Sequence, residues 1–395
     1  MDPVTHALSG ALVARAFPPK LPDERMASAA RWAVVLGSIF PDIDVLAKPF
    51  DPDGFATIRI HRSLTHSLVC LPVWAFVLAV AVGWFWRRRG IPAPGRGALT
   101  ALFGCGIGLH ILFDCITSFG TMVWSPISWT RVSWNWTFIV DLALTGVLLY
   151  FLLLARVAEE PAGRGRVWRA AWLLVLMAAL AGVYSLGSYA LGRPAPAEIP
   201  AAVLLAAAIP LGLTLAGRSF PLTGRGWARI GVLAAAVYLG MDAWAQMAAL
   251  DRVAEQMPVG PGVLNAQAIP MPPNMTQWLG LIATDEGVRE WTFSLADPPS
   301  ARVSTIFVPA RSGEACPAVL WNIPQVRAYL HFAEFPVVVC GHAPGVETAE
   351  FTDLRFARIP LRWTRGPVRQ APLPFTWRVT FDDAGRVLRE GWVIE

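Results

Sequence analysis

The chain has 395 residues, 55% of them hydrophobic and only 15% charged, with a net charge of +5 and a mean hydropathy of +0.47. Ordinary soluble domains carry about 25% charged residues, so the composition excludes a wholly water-exposed globular protein. The arginines lie in short loops between apolar runs, which is a pattern of membrane topology rather than of a nucleic-acid partner.

The opening MDPVTHALSGALVARAF has an acid where a cleaved signal peptide has its basic region, so it reads as part of the mature chain. Two helical stretches, about 5–17 and 26–40, are joined by PPKLPDE. Each reaches only about 20 Å, short of a ~30 Å hydrocarbon core, and is expected to dip into the membrane or cross it obliquely. Six longer apolar runs follow, roughly 64–86, 98–119, 137–157, 168–190, 200–217 and 228–250, each long enough to span. Arg87, Arg88, Arg89 and Arg96 flank one connection; Arg156, Arg164, Arg166 and Arg169 another; Arg218, Arg225 and Arg229 a third. The alternate connections hold Arg131 and Arg193. The positive-inside rule makes the arginine-rich loops cytoplasmic and turns the opposite helix ends outward.

After about residue 255 the pattern changes. MPVGPGVLNAQAIPMPPN reads as a linker, and short β-branched and aromatic runs follow in WTFSL, RVSTIFV, PVVVC and RIPLRW. VRAYLHFAEF is the one helical pattern, and the end reads as a hairpin turning at DDAG. The expected architecture is mainly α: a polytopic helical membrane domain over 1–255, then a linker and a smaller extracytoplasmic α+β domain over 256–395. Cys316 and Cys340 are the only cysteines of that domain and are expected to pair, since disulfides persist outside the cytoplasm. Cys70, Cys105 and Cys115 lie in apolar runs and read as small core residues.

Four of the six histidines fall before residue 111. His6 opens the first stretch, Asp42 and Asp44 close the second in PDID, and His61 and His66 precede the third in HRSLTHS. His110 and Asp114 are four apart and share one helix face, and Asp141 starts the next span. Alone, each has an ordinary reading: a structural interfacial histidine, a helix stop, an interhelical His–Asp pair. Together they bring nitrogen and oxygen donors to one side of the membrane, a mixture suited to a divalent metal, zinc first among them. Seven donors (His6, Asp42, Asp44, His61, His66, His110 and Asp114) exceed one zinc and fit two, so one or two ions are expected. Arg62 is the candidate for gripping a phosphate. Asp141 reads equally as a ligand, a supporting group or a helix N-cap. His331 and His342 lack metal-like spacing.

MDPVTHALSG, PDID, HRSLTHS and HILFDCITSFG, over about residues 1–145, resemble the motif set of the YdjM family, described as LexA-binding, inner-membrane-associated metal-dependent hydrolases. The resemblance implies a multi-pass inner-membrane protein with a helical, metal-holding phosphoesterase core at those seven positions. The expected function is metal-dependent hydrolysis of a phosphoester, including that of a lipid drawn from the bilayer. The rival readings are a transporter or metal-handling protein, and a non-catalytic assembly protein with a structural metal. The apolar runs at 67–86 and 142–155 carry almost no polar residues toward the cytoplasmic side, which counts against an ion pathway.

Overall fold

The computed structural model describes residues 1–51, 54–192, 196–257, 262–272, 275–298, 305–313, 316–343, 346–356, 375–382 and 385–393. Asp2 accepts from the backbone N–H of Thr5 at 3.0 Å and Pro3 supplies a fixed φ, which together start helix α1, Pro3–Ala16. The PPKLPDE break ends at a second acidic cap, Asp23, which accepts from Met26 N at 2.8 Å and opens α2, Glu24–Ile39. Tight 3-10 turns cover Phe40–Phe50, a short helix α3 covers Ala56–Arg59, and a further 3-10 turn covers Leu64–His66. Then come α4 Leu71–Arg88, α5 Arg96–Cys115, α6 Leu142–Glu159, α7 Arg164–Ala190, α8 Glu198–Leu215 and α9 Gly224–Ala254. All six are long and apolar enough to cross a membrane.

The first of these spans starts later than its apolar run suggests. Ser67 Oγ accepts from the backbone N–H groups of Val69 and Cys70 at 3.0 and 3.3 Å, which turns the chain, and Pro72 then sets the first helical turn. His66 therefore sits on a separate 3-10 turn and not at the end of α4.

The described residues divide into two compact units. One holds Met1–Asp44 and Arg62–Asp242; the other holds Val45–His61 and the chain from Ala243 onward, apart from a short stretch at Pro272. In the first unit, Ala33, Ala75, Ala79, Leu99 and Phe103 join α2, α4 and α5 in one apolar cluster. Leu12, Leu144, Leu148 and Ala228 join α1, α6 and α9 in another, and Leu154, Leu173 and Ala207 join α6, α7 and α8 in a third. The α2–α5 crossing depends on glycine. A Cβ on Gly37 would stand 2.6 Å from the carbonyl oxygen of Phe103, and one on Gly106 would run into the carbonyl of Val34. Small residues let two membrane helices touch backbone to backbone.

The second unit carries β1 Val263–Pro270, β2 Gln277–Thr284, β3 Gly287–Ser294 and β4 Ile306–Pro309, an antiparallel sheet in sequence order. A second sheet takes β5 Arg311–Gly313, β6 Pro336–Ala343, β7 Val346–Asp353, β8 Thr376–Phe381 and β9 Val387–Trp392 in that order, with β5 parallel to β6 and the rest antiparallel. Helix α10, Pro324–Phe332, precedes β6. The stretch read as a linker thus contains strand β1, because its prolines fall before Val263 or at and beyond Pro270 and leave the N–H groups between them free to pair. RIPLRW lies outside the described residues. Cys316 and Cys340 are disulfide-bonded, with Cα atoms 5.5 Å apart.

Candidate metal centre

Three separate pieces of the first unit converge on one point. The 3-10 segment after α2 brings Asp42, the Leu64–His66 turn brings His66, and α5 brings His110 and Asp114 one turn apart. Each offers one donor atom, and the four atoms lie within 4.8 Å of one another. The Nε2 atoms of His66 and His110 are 3.1 Å apart, and each lies 3.3 Å from Asp114 Oδ2 and 3.6 Å from Asp42 Oδ1. A tetrahedron with bonds of 2.0–2.1 Å has edges of about 3.3 Å, so the group is spaced so that it could hold a metal ion. His66, His110 and Asp114 are fully buried, while the Asp42 side chain keeps 24% of its surface exposed.

The far nitrogens of both imidazoles are already engaged. His110 Nδ1 lies 2.7 Å from the carbonyl oxygen of Ser38, which can only accept, so Nδ1 carries the proton and Nε2 presents its lone pair to the cluster. His66 Nδ1 lies 3.3 Å from Asp44 Oδ2 and 3.0 Å from Thr65 Oγ1, and Thr65 in turn donates to Asp44 at 3.2 Å. Carboxylate or carbonyl support behind a ligating histidine is the usual mark of a metal site. The carbonyl reaches His110 because Gly37 and Gly106 bring α2 and α5 into contact one turn away.

The other oxygen of Asp114 faces nitrogen groups. Arg62 Nη2 is 2.9 Å from Oδ1, His6 Nε2 is 3.3 Å away, and the amino group of Met1 is paired with the same atom. Arg62 Nη1 also donates to Thr117 Oγ1 at 2.9 Å and to the Asp114 carbonyl at 3.3 Å. Its backbone is in the left-handed region at φ 62°, held by its N–H on Asp44 Oδ2 at 3.0 Å and its carbonyl on Met122 N at 2.9 Å. A non-glycine residue there stores on the order of 1 kcal/mol and persists only under such contacts.

Burial drives the imidazolium of His66 down, but its contacts with Asp114, Asp42 and Asp44 outweigh burial and raise the group to about 10. Burial pushes Asp42 up, yet the bonds from His110 and His66 hold its carboxyl well below the ordinary range. His6 is kept neutral, down to about 4, by burial first and then by the neighbouring His110 ring.

The sequence-derived candidates thus separate. Asp42, His66, His110 and Asp114 form the four-donor group. His6 lies outside it, stacked on His110 with ring centroids 3.6 Å apart. Asp44 stands behind His66. Arg62 is 2% exposed and directed at Asp114 and Thr117 rather than at an opening. His61 ends the segment that belongs with the second unit, and is half-buried. Asp141 is the N-cap of α6: it accepts from Ala143 N and Leu144 N at 2.9 Å, and from Thr137 Oγ1 and Tyr238 OH at 2.5 and 2.8 Å. The carbonyl of Ser38 carries no side-chain signal, and only the glycines around it mark the spot.

Comparison with known families finds a match between residues 1–191 and the model of the YdjM inner membrane protein family. No curated protein and no solved structure matches the chain.

Proposed function

From a chain whose residues 1–191 match the model of the YdjM inner membrane protein family, we propose an integral membrane, metal-dependent hydrolase acting on a phosphoester, with Asp42, His66, His110 and Asp114 as its metal ligands. One observation carries the reading: four donor atoms stand at tetrahedral-edge spacing, with both imidazoles backed by protein acceptors. The two-nitrogen, two-oxygen set suits zinc, with manganese or iron as alternatives. Bound there, such an ion lowers the pKa of water toward ~7 and polarises a phosphoryl oxygen. Arg62 and His6 fix the outer oxygen of Asp114, which leaves Oδ2 aimed inward. Ser38 and Asp44 hold the imidazole tautomers. Asp42, the one ligand with appreciable exposure, marks the side on which water and substrate enter. Arg62 is a positioning residue in this scheme.

The arginine asymmetry assigns the centre and the second unit to the extracytoplasmic side. The Cys316–Cys340 bond, expected only in an oxidising compartment, supports the same side.

A second reading has an observation of its own. Four protein donors complete a tetrahedral set, as in structural sites, so the ion would staple α5 to the two turns that approach it. Purified protein in lipid nanodiscs decides between them by metal analysis and a panel of phosphomonoesters, phosphodiesters and phospholipids. The hydrolase reading expects about one divalent ion per chain at this group and hydrolysis that chelation abolishes and metal restores. It also expects H110A and D114N to lose both, while H61A tests whether the ligand set extends further. Chelation that lowers the melting temperature, with no hydrolysis across the panel, leaves the staple and removes the enzyme.

A further inference from the structure

The segment between α5 and α6 is unusual for a membrane protein's connection. Residues 116–141 form no helix, and their only charged side chains are Arg131 and Asp141. Both charges are engaged with the protein. Arg131 donates to the Gly120 carbonyl at 3.1 Å and lies over the Phe119 ring at 4.9 Å, while Asp141 caps α6.

The inner side of this segment is fastened down. Thr121 and Val132 exchange both N–H···O bonds at 3.0 and 2.9 Å, and Trp134 N and Trp136 N donate to the carbonyls of Cys115 and Ile116 at 2.7 and 2.8 Å. Met122 N donates to the Arg62 carbonyl at 2.9 Å, Leu68 N to the Val123 carbonyl at 2.9 Å, and Ser67 Oγ to the Ser125 carbonyl at 2.5 Å. The segment is therefore rooted in the same strand of chain that carries His66.

Its outer side is apolar and uncovered. Trp124 is 52% exposed, Ile127 79% and Trp129 48%, and Leu64 and Leu68 of the fastened neighbour are 41% and 43% exposed. An ordered loop with both its charges engaged and large apolar groups turned out is the reverse of a water-facing loop. It joins the ends of two candidate spans, so it lies at the level where a bilayer's hydrocarbon gives way to headgroups. Tryptophan is the residue favoured at that level, because its ring is apolar and its N–H is wet.

We propose that Trp124, Ile127 and Trp129 form a shelf inserted at the headgroup–acyl boundary, and that the phosphoester reaching the metal centre is that of a bilayer phospholipid. The second half rests on the hydrolase reading above; the first does not. Acyl chains would lie along the shelf with Leu64 and Leu68, while the charged head would stay at the border, where the turn bearing His66 is attached. No free anionic substrate needs such a surface.

The test uses the full chain in vesicles of phosphatidylglycerol and phosphatidylcholine. Ile127→p-benzoylphenylalanine is irradiated and its adducts are identified by mass spectrometry. The expected product is a phospholipid adduct; adducts only with protein, from a second copy or another chain, or no lipid adduct at all, would overturn the shelf. This single exposed replacement does not depend on activity. The triple variant W124S/I127S/W129S, checked for retained metal content, is then compared on vesicle phospholipid and on a water-soluble phosphoester. The ratio of the two rates is expected to fall at least tenfold, and an unchanged ratio would overturn the substrate assignment. Lipid adducts in a protein that hydrolyses nothing would keep the shelf and dismiss the hydrolase.

Discussion

Asp114 is the residue on which the centre turns. One oxygen faces both histidine Nε2 atoms and the other faces Arg62 and His6, so a single carboxylate links the metal group to its support. Arg62→Ala leaves that buried carboxylate without its guanidinium. Loss of one partner of a buried pair costs about 3–5 kcal/mol, so the variant is expected to melt well below the parent in detergent. Arg62→Lys should rescue little, because a lysine ammonium cannot reach Asp114 and Thr117 with a planar fork; a melting curve equal to the parent's would contradict this. The support behind His66 predicts a different signature. Asp44→Asn or Thr65→Val is expected to weaken metal binding about 10–100-fold while the helices keep their thermal stability, measured by competition with a chromophoric chelator. Residue types were legible at this scale: histidine and aspartate at membrane borders are costly and so marked the site. Their partners were not, since an arginine beside a motif reads as a phosphate clamp until its contacts show it directed at Asp114 and Thr117.

At the scale of elements, the centre depends on how closely α2 and α5 approach. Gly37 and Gly106 sit at the crossing, and Ser38 and His110 follow within a turn. Gly106→Ala puts a methyl group against the Val34 carbonyl, and overpacking of this kind typically costs 1–3 kcal/mol. The helices should separate enough to break the Ser38–His110 bond, so metal content should drop although every ligand is present. Gly108→Ala is the control, because a Cβ there meets only Leu71 at 3.8 Å. Equal metal content in the two variants would show that the crossing does not set the site. The sequence made the six spans and the two short N-terminal helices legible through apolar length alone. It hid the start of α4, where an apolar run continues through a turn that Ser67 and Pro72 impose. It hid β1 as well, because proline and glycine punctuation outweighed a strand whose pairing partner follows only at Gln277–Thr284.

For the whole molecule, the question is which side of the membrane carries the centre and the sheets. Four candidate spans, α6 to α9, lie between the 116–141 segment and β1, and an even number returns the chain to the side it left. The arginine-rich connections after α4, α6 and α8 then all share the opposite side, which the proposed orientation makes cytoplasmic. The disulfide is an independent marker, since Cys316 and Cys340 are joined across 24 residues in the second unit and the three cysteines of the first unit are free. Blocking free thiols in intact cells with an alkylating reagent should leave Cys316 and Cys340 unmodified until a reductant is added. Cys316→Ser with Cys340→Ser should lower the stability of the second unit by about 3 kcal/mol, the loop-closure value for a link of this length. A C-terminal fusion to a reporter that works only after export should be active. Free thiols at both positions, together with a silent exported reporter and an active cytoplasmic one, would invert the molecule. The metal centre would then face the cytoplasm, and the arginines would owe their pattern to something other than topology.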